Sequence, residues 1–275
     1  MIVNGYKSKA EAIRALKAEG FHVSGLLSQP ESNPKVAKND KMGVLTAPLH
    51  LAPARESGYE VCPMRSAGCT AACLHTAGNP AYMENKRKSR IAKTHAYMRH
   101  RKAFMAVLVF EIAALNRKAE KQGLQTGIRL NATSDIAWEN VAVEVNGHKF
   151  NNVMDLFFSV EFYDYTKVTK RAIKWAEGKL PSNYHLTFSK HEANDAEVAK
   201  VLEAGGNVSV VFDKRAYKAA LDAGVWHGLG HFPWEGHPVH NGDDHDFRPA
   251  DPDGCIVALK AKGDAIYDDS GFVVR

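Results

Sequence analysis

Apolar positions along this chain change period repeatedly, recurring at three- and four-residue intervals in some stretches and at every second residue in others, which separates helices from strands. Ala10, Ile13, Leu16 and Ala18 fall on one helical face behind Ser8-Lys-Ala-Glu11, whose spacing is that of a capping box, and Gly20 stops the run. A polar connector over 28–41 follows, with Pro30 and Pro34. Val44 to Leu51 reads as a strand. Ile91, His95, Met98, Phe104, Val107, Leu108 and Ile112 predict one long helix over about 84–122, ended by Gly123. Strands are then predicted over 128–133, 162–166, 184–188, 207–212, 237–241 and 256–260. Helices are predicted over 169–177, from an Asn194 cap to Gly205, and over 214–223. Residues 151–160 fit neither period.

Strands alternating with helices of about ten residues indicate βα units and a parallel sheet. The fold class expected is α/β, a partial (β/α) barrel of five to six mostly parallel strands. An N-terminal helix and linker over residues 1–41 precedes the barrel, which takes residues 42–275.

Composition narrows the setting. With 275 residues, 45% of them hydrophobic and 24% charged, the chain can bury a substantial core. No apolar stretch is long enough to cross a membrane; the longest, 103–115, is interrupted by Glu111. The first residues, Met-Ile-Val-Asn-Gly-Tyr-Lys, lack the apolar core of a secretory signal. The four cysteines are clustered rather than spread, so a disulfide framework is not expected and the cytoplasm of a host cell is. The net charge of +5 is uneven: Lys86, Arg87, Lys88, Arg90, Lys93, Arg99, Arg101 and Lys102 crowd one segment with Glu84 as the only nearby acid. Such density serves a phosphate-bearing partner, a nucleotide or nucleic acid, or is simply the solvated face of a helix. Arg87, Lys88 and Arg90 are the substrate-binding candidates there.

The chemistry concentrates in Cys62-Pro-Met-Arg-Ser-Ala-Gly-Cys69-Thr-Ala-Ala-Cys73, which holds three of the four cysteines. Thiolates gathered this closely bind soft or borderline metals. An iron–sulfur cluster with one open position, a structural zinc with His75 as fourth ligand, and ordinary thiols are the three readings. Cys255 begins an apolar strand and reads as a small core residue.

Ligand sites of parallel βα proteins lie outside the carboxyl ends of the strands. Those ends are consistently polar here: Arg129-Leu-Asn131 into Ser134-Asp135, Asp164 into Lys167, Ser189-Lys190-His191, Asp213-Lys214-Arg215, and His240 into Asp243-Asp244-His245-Asp246. Each alone reads as a cap or turn; together they form a polar rim. Asp135, Asp164, Lys167 and Asp244 are its catalytic candidates. Asn131, Ser134, Ser189 and Asp213 are cofactor-binding candidates, and Arg129, Lys190 and His240 substrate-binding ones. The stretch 227–253 is rich in His and Asp and admits a second metal site centred on His240, Asp243, Asp244 and Asp246, as in a metal-dependent hydrolase, or a hydrogen-bonded loop closing the barrel.

Two resemblances add to this. Cys62-Pro, Gly68-Cys69, Cys73-Leu, Arg129-Leu-Asn, Ser134-Asp135, Phe162-Tyr-Asp-Tyr-Thr-Lys167 and Gly242-Asp-Asp-His-Asp246, in this order, resemble a family of phage and plasmid proteins, the gene product 88 group. That implies a mobile-element origin and carries no activity over. More distantly, a cysteine triplet after the first strand of a partial βα barrel is similar to radical S-adenosylmethionine enzymes. The likeness implies Cys62, Cys69 and Cys73 as ligands of a 4Fe-4S cluster, S-adenosylmethionine as cofactor and an electron donor as partner. Asn131, Ser134 and Asp135 would then face cofactor or substrate. The cysteine spacing, six residues then three, departs from the usual three then two, and no Gly-Gly-Glu-like segment follows the second strand. A nucleic-acid-binding protein with a structural zinc is the competing class.

Overall fold

The computed structural model describes residues 1–29, 36–73, 84–227 and 234–275. Helix α1 (Lys9–Ala18) opens where Ser8 accepts the Glu11 amide hydrogen, as its capping-box spacing predicts. Strand β1 (Val44–Pro48) is followed by the short helix α2 (Ala67–Ala71), then by α3 (Glu84–Arg99) and α4 (Arg101–Lys121). Strand β2 (Gln125–Arg129) precedes the hairpin of β3 (Val143–Val145) and β4 (His148–Phe150) and the single turn α5 (Val153–Leu156). Strand and helix then alternate: β5 (Glu161–Thr166), α6 (Thr169–Ala176), β6 (Tyr184–Ser189), α7 (Asp195–Glu203), β7 (Asn207–Phe212) and α8 (Lys214–Ala223). Strands β8 (Val239–Asn241) and β9 (Ile256–Lys260) follow.

Seven strands form one sheet in the order β1-β2-β5-β6-β7-β9-β8. Its first five members follow one another in chain order, so the crossovers among them step the same way. That is barrel-type winding rather than the reversal of a doubly wound sheet. The α/β class holds, and the strand count is seven instead of five to six. Both C-terminal strands join the sheet in parallel, with β9 entering between β7 and β8.

Three local expectations are corrected. The single helix expected over 84–122 is two, because His100 takes φ −131° and ψ 49° between them. Its ring packs on Phe21 with centroids 5.1 Å apart, a tertiary contact that no Gly or Pro announces. Strand β2 begins and ends earlier than 128–133, since Asn131 folds the following residues into a turn. Between β2 and β5 the chain makes an unexpected hairpin: Asn146 and Gly147 have φ of 51° and 83°, the left-handed pair that a two-residue type I′ turn requires.

The chain divides into two compact units, Met1–Pro63 with Tyr82–Phe162, and Met64–Ala81 with Tyr163–Arg275. In the first, β1 pairs with β2 from Val44↔Gln125 to Pro48↔Arg129. Leu16, Leu26, Leu49, Val107, Leu108 and Ile112 are fully buried there, and Tyr97, Phe104 and Trp138 form an aromatic cluster. The residues expected as an N-terminal appendage are part of this unit, with α1 packed on α4. In the second unit, β6–β7 and β7–β9 pair in parallel over a core of Phe188, Val208, Val210, Phe212, Ile256, Trp226 and Trp234. Among the described residues no helix is long and apolar enough to cross a membrane.

Candidate functional site

In the first unit Cys62 lies beside the carboxyl end of β2. Its Sγ is 3.8 Å from the Thr133 carbonyl oxygen, and the Asp135 amide donates to the Val61 carbonyl at 2.7 Å. Asn131 organises this loop. Its Oδ1 accepts hydrogens from Ser134 Oγ, the Ile136 amide and Trp138 Nε1, while its Nδ2 donates to the Ile136 carbonyl. Asn131 and Ser134 are both buried, so the expected cofactor contacts of these two side chains meet a loop that already uses them. Arg129 is half-buried at the end of β2.

The basic helix is partly self-neutralised. Arg87 pairs with Glu56 at 2.6 Å and Lys88 with Glu84 at 2.8 Å, while Arg90 is half-buried. Lys93 is drawn inward and donates to the Leu26 carbonyl at 2.8 Å. Burial pulls its amine down to about 8, against the opposing pull of Glu111. The outer residues, 84–89, remain exposed.

In the second unit Cys69 sits on α2, half-buried, and Cys73 just beyond it. The helix is held at the carboxyl end of β6 by Glu192, which accepts hydrogens from Ser66 Oγ at 2.7 Å and the Gly68 amide at 2.8 Å. Burial opposes ionisation of Glu192, but these hydrogen bonds keep its carboxyl below the usual range. Cys69 packs with Ala72, Ala261, Ala265, Phe272 and Val273. A Cβ on Gly68 would stand 2.8 Å from Glu192 Oε2 and 2.9 Å from Phe272 Cβ, so the helix backbone is in close contact. Sequence reading missed Glu192; the only available signal was one more charge after Ser189-Lys190-His191.

Other rim candidates of this unit separate into those engaged inside the fold and those left near the strand ends. Asp164 is fully buried and accepts from Tyr184 Oη at 2.9 Å, in a network where Arg171 reaches both Tyr184 and Thr166. Asp213 caps α8 by accepting the Ala216 amide at 2.7 Å. Ser189 Oγ lies 3.2 Å from Ser209 Oγ. Lys190 is buried, donates to the His191 carbonyl at 3.1 Å and lies 3.8 Å from Asp195; burial lowers its pKa while Asp195 opposes the change. Lys167 Nζ stands 5.7 Å from the centre of the Phe272 ring.

Within the His/Asp-rich stretch, His240 lies on β8 and residues 242–253 form the crossover from β8 to β9. Three of its expected metal-binding carboxylates are directed elsewhere. Asp243 pairs with Lys262 at 2.6 Å, Asp244 accepts from Asn241 Nδ2 at 2.7 Å, and buried Asp246 accepts from Tyr163 Oη at 3.2 Å. His240 instead meets His245 and Asp251, with ligand-type atoms of all three within 4.8 Å of one another. Fully buried Arg248 braces them, placing Nη1 3.0 Å from Asp251 Oδ2 and Nη2 3.3 Å from His245 Nδ1. Burial, followed by the Arg248 charge, pushes both imidazoles below their ordinary pKa. Arg248 carried no signal in the sequence beyond its place between Asp246 and Asp251. Cys255, next along, is buried with its thiol pushed up to about 12, first by desolvation and then by Asp251; it is a core thiol. His75 and His231 lie outside the described residues.

Sequential βα units and a parallel sheet define an α/β protein with barrel-type winding. Residues 25–275 match the family described as gene product 88, and the chain belongs to this phage gene product family. Neither a curated protein nor a solved structure matches it.

Proposed function

We propose that this protein is an iron–sulfur enzyme, similar to the radical S-adenosylmethionine class, with Cys62, Cys69 and Cys73 as cluster ligands and a nucleotide or nucleic acid as substrate. One observation carries the reading. Three of the four cysteines fall within residues 62–73, each is half-buried and none is in a disulfide, whereas the fourth is a buried core thiol. Three thiolates suit a four-iron cluster that keeps one iron open. When bound, such a cluster supplies one-electron transfer to S-adenosylmethionine, with a separate reductant as partner.

The chain's own residues have simpler tasks. Glu192 fixes the helix that carries Cys69, so this thiol is positioned before any metal arrives. Ser189 ends β6 and Lys167 follows β5, and both are suited to a carboxylate or phosphate, whereas Lys190 is engaged inside the fold. The start of α3 offers exposed Arg87 and Lys88 and half-buried Arg90 to a nucleic-acid backbone. A phage family makes a nucleotide or nucleic-acid substrate in the host cytoplasm a natural setting.

Anaerobic purification with visible absorbance, iron and sulfide analysis tests the metal. Brown protein with about four irons per chain, lost in the triple variant Cys62→Ser/Cys69→Ser/Cys73→Ser, is the expected result. Calorimetry of the reconstituted protein with S-adenosylmethionine then tests the cofactor. Colourless protein holding one thiol-bound zinc overturns the reading.

A further inference from the structure

We propose that His240, His245 and Asp251 form a second metal site, separate from the cysteines, for a first-row divalent transition ion such as zinc or iron(II). Two imidazoles and one carboxylate are a ligand set that leaves positions open for water or substrate. The distances fit. His240 Nε2 is 3.3 Å from Asp251 Oδ1, and His245 Nε2 is 3.7 Å from the same oxygen. Ligands bound at about 2.0–2.1 Å in a tetrahedron stand about 3.3–3.4 Å apart.

A second observation points the same way. His240 Nε2 is a buried atom with no hydrogen-bond partner, although the Asp251 oxygen is within reach. The pair has the separation of neighbours around a common centre and lacks the alignment of a donor with an acceptor. A buried nitrogen in this state is costly unless something else satisfies it.

The surroundings divide the Asp251 carboxylate into two roles. Oδ2 faces Arg248 Nη1 at 3.0 Å, which orients the group, while Oδ1 faces both imidazoles. Carboxylate ligands are commonly held from behind in this way. Arg248 Nη2 also stands 3.3 Å from His245 Nδ1. A metal on Nε2 places the ring proton on Nδ1, so this contact has to lengthen while the guanidinium keeps its bond to the His245 carbonyl. Access is graded: the Asp251 side chain is 0% exposed, His245 13% and His240 27%, so an ion enters past His240.

The test uses the full chain carrying Cys62→Ser, Cys69→Ser and Cys73→Ser, which removes thiolate binding and isolates this site. Cobalt(II) is titrated by calorimetry and absorbance, and zinc by thermal shift. One equivalent of cobalt should bind with weak visible bands and without thiolate charge-transfer absorption, and zinc should raise Tm. His240→Ala and His245→Ala, each made in that background and checked for folding by circular dichroism, should each weaken binding at least about 100-fold. Absence of binding in the thiol-free protein, or unchanged affinity in a folded His240→Ala or His245→Ala variant, overturns the proposal. Neither result bears on the cysteine cluster.

Discussion

Asn131 Oδ1 takes three hydrogens at once, from Ser134, Ile136 and Trp138, and so shapes the loop beside Cys62. Replacing it with Ala strands the buried indole and hydroxyl donors, each worth about 1–3 kcal/mol when unsatisfied. Asn131→Ala should therefore lower stability by about 3 kcal/mol in urea unfolding; a shift under about 0.5 kcal/mol would show that the loop is held by something else. His185 makes a pH prediction. Burial, then the Arg248 charge, lowers it from 6.5 to about 3. The unfolded chain thus binds a proton that the folded one refuses between these values, and stability falls as pH drops from 6.5 towards 3, by roughly 4 kcal/mol. His185→Gln should flatten that slope in denaturant midpoints measured from pH 7 to 4. The sequence exposed residue types but not their commitments. Asn131 and Asp213 stand where ligand groups belong at strand ends, yet one closes a turn and the other caps a helix, because both roles suit the same short polar side chains.

Among the elements, α2 has the most consequence for the proposed chemistry, although it has only five residues. Its backbone at Gly68 leaves no room for a methyl group against Glu192 and Phe272. Gly68→Ala should displace the helix and reduce iron per chain by more than half, measured after identical reconstitution; full iron content would mean that α2 does not position a ligand. The regular βα units were legible, since β7, α8 and β9 begin and end where their periods change. The hairpin was not read, although Asn146-Gly147 marks its turn, because its strands are only three residues long and too short for a period to be counted. The break between α3 and α4 was not. His100 interrupts a helical pattern that continues in phase on both sides, and its reason lies in Phe21, far away in sequence.

For the whole molecule, the net charge of +5 and the basic face of α3 bear on nucleic-acid binding. If that face meets phosphates, affinity falls linearly with salt on logarithmic axes, with a slope near 0.9 for each duplex phosphate neutralised. Arg87→Ala/Lys88→Ala/Arg90→Ala should reduce the slope by about one to three; Glu56 and Glu84 already engage two of these cations, so the full three is the upper limit. An unchanged slope in filter-binding or anisotropy assays would remove this face from the interface. The α/β class, the alternation of units and the cysteine segment could be read from the chain itself. The grouping of His240, His245 and Asp251 could not, because a crossover loop has no period from which to deduce who meets whom.

The anchoring of α2 also sets an order of events during synthesis. Ser66 and Gly68 emerge from the ribosome long before Glu192, their partner 126 and 124 residues later, and earlier still than Phe272, which packs beside Cys69. Until translation reaches those residues, the segment bearing Cys69 and Cys73 has nothing to dock on. If a cluster binds at these thiols, its loading is a late step, and nascent chains stalled before residue 192 would present them to the cell's oxidants.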